Sequence, residues 1–275
     1  MGLRLCRARQ IGIDFEYSTV SLSSKQRFSN RVDNYIRYRP RYPAEIIQVL
    51  CAECGLTPDS VIADIGSGTG FLAELFLKHG NRVLGIEPNP EMRQAGERLL
   101  AGYDNFSSID GSAESTTLAD SSVDFVTAGQ AFHWFDARAC DKEFRRILRH
   151  GGWVVLVWND RATDTPLLQD YENLLRKHGT DYNEVLHRNI DSDFLESFYG
   201  HPEFATRTFE YHQHLDFPGL KGRLLSSSYV PAESHPDYEP MIRALQVLFA
   251  AHEEGGEVDF KYETRMYWGH LATDQ

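Results

Sequence analysis

The sequence predicts an α/β fold in which a mostly parallel sheet carries helices on both faces. The first observation is that short apolar runs alternate with segments of helical length; the runs include VIADIG, NRVLGIEP, SVDFVTAG and WVVLVWN. The second is that glycine and proline stand at the segment boundaries. This alternation is typical of a doubly wound sheet. Such sheets bind ligands at the carboxyl ends of their strands, so strand-end residues are the first candidates for a site.

Each helix in the first half of the chain has a start or stop signal. SSKQRFSNRVDNYIRY is expected to be helical up to Pro40, and YPAEIIQVLCAECG to form a helix that ends before Gly55. GFLAELFLKHG is expected to end before Gly80, and NPEMRQAGERLLAG to begin near Pro90. DARACDKEFRRILRHGG should be capped by Asp136 and run to the GG pair. FSSIDGSA holds a further short strand.

The pattern changes after the strand WVVLVWN. TPLLQDYENLLRKHG and SDFLESFYG predict helices, and RTFEYHQHLDF and VDFKYETRMYWGHL predict two late strands. LKGRLLSSSYVP and EPMIRALQVLFAAHEEG are helical or mixed. The late strands are expected to extend the edge of the sheet.

Composition excludes several classes of protein. The net charge of −12 argues against a nucleic-acid partner, which needs a basic face. No apolar run approaches the ~20 residues of a membrane span, so we expect a cytoplasmic protein. We also expect it to be a monomer or a homodimer. Four cysteines are too few for a disulfide framework, and Cys51 and Cys54 are interpreted as two packed thiols. We predict no metal site.

The loop VIADIGSGTGF is the most informative stretch. A strand runs into three glycines, Gly66, Gly68 and Gly70, and a helix follows at once. A dinucleotide loop would place its third glycine where Phe71 stands. The carboxylate of Asp64 would repel a pyrophosphate but suits a ligand with an ammonium group. S-adenosylmethionine carries an ammonium and a sulfonium and no phosphate.

The next two strand ends are consistent with that ligand. Glu87, in GIEPNP, stands where an acid accepts both hydroxyls of a ribose, although a nicotinamide cofactor would use the same acid. In DGSAE, the backbone N–H of Ala113 is positioned to bond an adenine nitrogen.

These residues together resemble a known family. Asp64, the three glycines, Glu87, GSAE and RILRHGGWVVLVWN are similar to a class I S-adenosylmethionine-dependent methyltransferase. YRPRYP, QAFHWFD and GRLLSSSYVP resemble its small-molecule branch (methyltransferase type 11), which includes trans-aconitate methyltransferase-like proteins. The resemblance covers roughly residues 25–272.

The resemblance implies a Rossmann-like, doubly wound seven-stranded sheet with an antiparallel last strand and a small helical cap. It implies that the glycines let the backbone approach the methionine part of S-adenosylmethionine, and that Asp64 orders this loop or reaches the ammonium. Ser112 replaces the aspartate of many relatives, and RHGG replaces RPGG. The implied cofactor-binding residues are Tyr38, Asp64, Gly66, Ser67, Gly68, Gly70, Glu87, Pro88, Met92, Ser112, Ala113, Glu114, Gly129 and Gln130.

On this basis we divide the chain into five parts. Residues 1–22 are expected to be disordered, and residues 23–57 to form helices that cover the cofactor site. Residues 58–160 are the S-adenosylmethionine-binding core. Residues 161–203 are a helical cap or insertion, and residues 204–275 complete the sheet.

The stretch QAFHWFD and the strand after it carry the candidates for acceptor chemistry. His133 is either a general base or a hydrogen-bonded structural histidine. The residues expected to contact the acceptor are His133, Trp134, Trp158, Asn159 and Tyr229. Three arginines are possible carboxylate clamps, although each taken singly is more often a surface residue: Arg39, Arg161 and Arg223.

We therefore expect methyl transfer to a small-molecule acceptor, with carboxylic acids among the candidates. The alternatives are a quinone or lipid precursor as acceptor, or a non-catalytic protein that binds the cofactor. An enzyme that methylates acids should hold two or more arginines inside its pocket, whereas a quinone enzyme should have a wide apolar pocket. A dehydrogenase is disfavoured by Phe71.

Overall fold

A seven-stranded mixed sheet organises this computed structural model, which describes residues 32–180, 182, 192–201 and 203–272. In chain order the strands are β1 Val61–Ile65, β2 Arg82–Ile86, β3 Phe106–Ile109, β4 Val123–Gly129, β5 Leu148–Arg161, β6 Ala205–Leu215 and β7 Val258–Gly269. They lie side by side in the order β3-β2-β1-β4-β5-β7-β6. Strands β1 to β5 are parallel, and β7 is antiparallel to both neighbours. The predicted sheet with an antiparallel last strand is confirmed.

The described helices lie where the sequence predicts them. They are α1 Val32–Tyr38, α2 Glu45–Cys54, α3 Phe71–His79, α4 Pro90–Leu99, α5 Ala137–Ile147, α6 Pro166–His178, α7 Ser192–Tyr199, α8 Phe217–Leu225 and α9 Tyr238–His252, with a 3-10 turn at Phe132–Trp134. The Asp136 side chain caps α5 by accepting from two backbone N–H groups. The predicted end of α5 at the GG pair is wrong, because the chain is already paired with β4 at Leu148.

Apolar side chains from the helices cover both faces of the sheet. On one face, α5 and α7 bury Phe144 and Phe198 against β1, β4 and β5. On the other, α2 and α3 bury Leu50 and Phe76. Each such side chain contributes about 1.5–3 kcal/mol when fully buried. A third cluster joins α6, α8 and α9 to the far end of β7 around Phe260.

The five-part division of the chain stays a prediction. Residues 1–22 lie outside the described residues. Within the predicted cap, α7 packs on the face of the sheet through Phe198, which contacts Phe132 and Phe144 edge-on. The side chains of α6 that border the cleft described below are Glu172 and Arg176.

Two observations concern what the described residues lack. No helix among them combines the length and the apolar character needed to cross a bilayer. Three or more His, Cys, Asp or Glu side chains never gather there in a group that could hold a metal ion. Cys51 and Cys54 lie half-buried on α2, with Cys51 Sγ 3.6 Å from His79 Nε2.

The parallel strands bring their carboxyl ends to one edge of the sheet. Asp64 on β1 pairs with Thr127 on β4, and Gly129 on β4 pairs with Val157 on β5. The loops that follow these strands therefore meet at the same edge.

Glu143 on α5 fixes one of those loops. It is 9% exposed, and its Oε1 accepts hydrogen bonds from Thr116 N at 2.8 Å and Thr116 Oγ1 at 2.5 Å. Arg146 donates to the same carboxylate. The hydrogen bond from Arg146, together with those from Thr116, outweighs the raising effect of burial and lowers the pKa of Glu143 to about 2.

Glu143→Gln is expected to lower the free energy of unfolding by about 2 kcal/mol near neutral pH, because it removes hydrogen bonds to a charged group. The folded-state pKa lies below the unfolded value, so this contribution is complete above about pH 5 and is lost as the pH falls towards about 2. Urea denaturation at pH 7 and pH 3 measures it. The control is Glu239→Gln, because the Glu239 side chain is 72% exposed in its ion pair with Arg243. The free energy of unfolding of this variant should change by less than about 0.5 kcal/mol. An equal loss at both pH values would contradict this account.

Candidate active site

Two adjoining cavities open at the carboxyl edge of the sheet. The larger has a volume of about 640 Å³ and the smaller about 360 Å³. The two cavities share six of their lining residues: Tyr35, Gly66, Gly68, Gly129, Gln130 and Trp134. The two cavities are therefore parts of one cleft, and these six residues form the boundary between them.

The glycine loop after β1 forms one wall of the cleft. Gly66, Gly68 and Gly70 have φ values of +63°, +56° and +85°, in the left-handed region that favours glycine. Space is also restricted, because a Cβ on Gly66 would lie 2.8 Å from Ala131 Cβ. The loop is held to β2 by a hydrogen bond from Ser67 N to Ile86 O.

Asp64 lies beneath this loop and is 1% exposed. Its Oδ1 accepts a hydrogen bond from Thr127 Oγ1 at 2.9 Å, while Oδ2 is buried and has no hydrogen-bond partner among the described residues. Burial raises the pKa of Asp64 to about 7, against the opposing effects of hydrogen bonds from Thr127 and from the backbone of Ala73. The site thus contains a buried acidic group beneath the glycine loop.

Glu87 lies at the end of β2 and is 8% exposed. Its Oε2 accepts from Gly68 N at 2.9 Å and its Oε1 from Asn89 N at 2.8 Å. These two backbone donors fix the orientation of the carboxylate towards the smaller cavity. Each oxygen has a second lone pair that can accept from a ligand hydroxyl.

The turn after β3 closes the far side of the smaller cavity. Ser112 and Ser115 exchange two backbone hydrogen bonds of 3.1 and 3.2 Å. In the part of the chain that the structure describes, the N–H of Ala113, between them, makes no backbone hydrogen bond. Ala113 lines the cavity together with Ser112 and Glu114.

The segment after β4 separates the two cavities. Gln130 has a φ of +55°, which is uncommon for a residue with a side chain. Two hydrogen bonds to β5 hold it there, from Gln130 N to Val157 O at 2.9 Å and from Gln130 Nε2 to Asn159 O at 2.7 Å. Asn159 in turn accepts from Thr264 on β7 and donates to Arg41 O, so three parts of the chain meet here.

His133 follows in the 3-10 turn and lines the larger cavity. Trp158 Nε1 donates to His133 Nδ1 over a long distance of 3.5 Å. Since an indole nitrogen only donates, Nδ1 is the acceptor and the neutral ring carries its proton on Nε2. His133 thus lies in the wall of the larger cavity, in contact with Trp158.

Most of the residues singled out in the sequence line the cleft. Besides the shared ones, the smaller cavity takes Glu87, Pro88, Met92, Ser112, Ala113 and Glu114. The larger takes Asp64, Ser67, His133, Trp158, Asn159 and Tyr229.

Two of the predicted cofactor residues line neither cavity. The Tyr38 ring packs against α8, where a Cβ on Gly222 would lie 2.1 Å from it, and Tyr35, one helical turn earlier, faces the cleft instead. Gly70 faces Leu100, whose Cδ1 would lie 2.5 Å from a Cβ at that position. Gly70 therefore permits packing beneath the loop and does not border the cleft.

Sequence reasoning missed or misjudged other residues of the cleft. Tyr42 lies against Gly129, and burial raises its pKa well above the ordinary value. The expectation that single arginines are surface residues is wrong for Arg39, Arg161 and Arg223, which all line the larger cavity. The only sequence signal for Tyr42 was its place in YRPRYP.

Comparison with known proteins agrees with this geometry. A family described as a methyltransferase domain matches residues 63–156. The order of the seven strands is that of the Rossmann-like fold of class I methyltransferases. S-adenosylmethionine is the cofactor of this class of proteins.

Relatives support the same family. An uncharacterized methyltransferase-like protein of Schizosaccharomyces pombe is 32% identical over 155 residues, which are 56% of this chain and 59% of the relative. An uncharacterized methyltransferase of Mycobacterium tuberculosis is 37% identical over 152 residues, 55% of this chain and 60% of the relative. The match thus spans less than two thirds of these relatives.

A solved structure shows the same fold. It is a protein of Anaeromyxobacter dehalogenans assigned provisionally as a type II methyltransferase, with a TM-score of 0.63 and 22% identity. The similarity covers 86% of this chain and all of the other.

Gly66→Ala is expected to lower the free energy of unfolding by clearly more than Gly255→Ala. Both positions have a positive φ, +63° and +65°, which costs alanine about 1–2 kcal/mol. Only at Gly66 does the added Cβ meet another side chain, whereas nothing lies within 4 Å at Gly255. Urea denaturation of the two variants measures the difference. Equal losses would mean that the glycine at residue 66 serves conformation alone.

Proposed function

We propose that the protein is an S-adenosylmethionine-dependent methyltransferase acting on a small-molecule acceptor. The observation that carries the proposal is the Asp64 carboxylate, enclosed beneath the glycine loop with one oxygen unpaired among the described residues. A buried carboxylate is stabilised by a cation, and the ammonium of S-adenosylmethionine supplies one. A pyrophosphate in the same position would be repelled.

The other residues of the cleft fit the same cofactor. Glu87 would accept the ribose hydroxyls, and the Ala113 N–H would donate to an adenine nitrogen in the smaller cavity. Pro88 and Met92 supply apolar contact for the adenine ring. Tyr35 takes the covering role that the sequence predicted for Tyr38.

When bound, this cofactor supplies a methyl group that its sulfonium has already activated. The protein then has to bind the acceptor in the larger cavity, align it and exclude water. Orientation of this kind is worth roughly 7–11 kcal/mol, so no catalytic triad is required. Trp134 borders both cavities and is positioned to hold the sulfonium through its aromatic face.

His133 is proposed to contact the acceptor. The ring lines the larger cavity, and its Nδ1 accepts from Trp158. In the tautomer that this contact implies, the imidazole would act on the acceptor as a hydrogen-bond donor, which suits an acceptor that is already ionised, such as a carboxylate. An acceptor that must lose a proton would need His133 in the other tautomer, without the Trp158 contact.

The larger cavity favours a polar acceptor over a quinone or lipid precursor. Five arginines line it, Arg39, Arg161, Arg176, Arg223 and Arg265, whereas a quinone would require mainly apolar walls. Carboxylic acids are therefore the acceptor class that we propose. A non-catalytic role is disfavoured because Asp64, the glycine loop and Glu87 are all in position.

S-adenosylhomocysteine is expected to bind with micromolar affinity, and Asp64→Asn to weaken it about tenfold or more, since a charge-assisted contact is worth about 1.5–3 kcal/mol. With a pKa of about 7, Asp64 is largely protonated at pH 6. The ligand ammonium prefers the ionised carboxylate, so affinity should rise from pH 6 to pH 7.5 and binding should release a proton. Asp64→Asn should abolish this rise.

Calorimetry in two buffers of different ionisation enthalpy measures affinity and proton release together. Thr69→Ser, a conservative change at another buried residue of the loop, is the control. Tight binding of NADH without binding of S-adenosylhomocysteine would overturn the proposed function.

His133→Ala is expected to lower turnover while leaving the affinity for S-adenosylhomocysteine near that of the wild type. His133→Gln keeps a donor and should restore part of the activity. Transfer of label from S-adenosylmethionine to a pool of small acids measures turnover. Strong loss of cofactor affinity in His133→Ala would favour a structural histidine.

A further inference from the structure

Two arginines meet at one end of the larger cavity without a carboxylate partner among the described residues. Arg39 follows α1, and Arg223 lies on α8 and is 4% exposed. Both reach the same hydroxyl, with Arg39 Nη2 at 3.4 Å and Arg223 Nη1 at 3.3 Å from Ser227 Oγ. The two guanidinium groups are thus close neighbours.

The remaining contacts of the two arginines are with neutral groups. Arg39 Nη2 donates to Ser226 O at 3.2 Å, and Arg223 Nε donates to Tyr262 Oη at 2.7 Å. Arg39 Nε is buried and has no hydrogen-bond partner among the described residues. The pair therefore holds two positive charges and an unused donor.

The other arginines of the cavity are paired. Arg161 and Arg176 share the carboxylate of Glu172, and Arg265 binds Asp160 at 3.2 Å. The lack of a carboxylate is therefore particular to Arg39 and Arg223 and is not a general property of the cavity.

The arrangement is electrostatically costly in the absence of an anion. Burial, followed by the charge of Arg223, lowers the pKa of Arg39. Burial alone would raise the pKa of Tyr229, yet the three surrounding arginines outweigh it and the pKa of Tyr229 is lowered. Burial would also lower the pKa of Arg223, but the tyrosines around it, Tyr262 first, raise it, so the unfavourable effect of the two charges falls on Arg39.

We propose that Arg39 and Arg223 form a binding site for an oxyanion of the acceptor, a carboxylate or a phosphate. Both arginines line the larger cavity and neither lines the smaller, so the site lies away from the Glu87 carboxylate and the turn at Ala113. Guanidinium groups bind such anions through paired hydrogen bonds, and Arg39 Nε supplies one of the donors. The assignment of the bound anion to the acceptor rests on the proposed function, whereas the existence of an anion site does not.

Titration with succinate, inorganic phosphate and neutral succinamide tests the site, at constant ionic strength set with sodium chloride. Intrinsic fluorescence reports binding, since Trp134 and Trp158 line the cavity. Succinate or phosphate is expected to bind and succinamide is not. Arg39→Gln should lower the affinity for the anion about tenfold or more, and Arg39→Lys should lower it less.

Arg265→Gln is the matched control, because Arg265 lines the same cavity but is paired with Asp160. It should leave anion affinity within about twofold of the wild type. S-adenosylhomocysteine affinity is measured in every variant and should not change in Arg39→Gln. Loss of anion binding with intact cofactor binding separates this proposal from the proposed function.

A second test supplies the missing carboxylate from the protein. Ser227 is fully buried between the two arginines, so Ser227→Asp should offset one of their two positive charges, raise the melting temperature and abolish anion binding. Ser227→Asn has nearly the same size without the charge and should not raise the melting temperature. This stability gain with loss of binding is typical of a functional site.

The results distinguish the anion site from a purely structural pair. Succinate binding without phosphate binding identifies a carboxylate, and the reverse identifies a phosphate. The proposal is overturned if neither anion acts differently from sodium chloride, or if Arg39→Gln binds them as the wild type does. Anion binding without binding of S-adenosylhomocysteine would leave the anion site standing and refute the proposed function.

Discussion

The buried acid of Asp64, beneath the glycine loop, is the constraint on which the cleft depends. Thr127 satisfies one of its oxygens across the β1–β4 pair, and the other is buried without a hydrogen-bond partner among the described residues. An isolated buried carboxylate is costly, and here its pKa rises to about 7. The protein is thus prepared to gain free energy when a cation enters, and the parallel register of the strands sets where that occurs.

The same edge of the sheet separates two electrostatic environments. The smaller cavity carries the Glu87 carboxylate, held by the backbone N–H groups of Gly68 and Asn89. The larger cavity carries Arg39 and Arg223, which have no carboxylate partner in the part of the chain that the structure describes. A cationic sulfonium on one side and an anionic acceptor on the other would be drawn towards each other across the boundary residues.

Residues at strand ends could be placed from the sequence, whereas the burial of cavity residues from distant elements could not. Strand ends are set by topology, so Asp64 and Glu87 could be assigned to one cleft from the alternation of strands and helices. The sequence could not show which of Tyr35 and Tyr38 borders the cleft. The contact between α8 and this seven-residue helix decides which of its faces turns to the cleft. The burial of Arg223 could not be foreseen, since its partner Tyr262 comes from β7, far along the chain.

The match to the methyltransferase domain ends at residue 156, and Arg39 and Arg223 lie outside it on either side. One comes from the segment before β1 and the other from α8, which packs beside β6 and β7. The proposed anion site is therefore encoded outside the stretch that matches the domain. A lineage could exchange these two side chains while it retains that stretch, so a match to the domain carries little information about the anion that such a pair would bind.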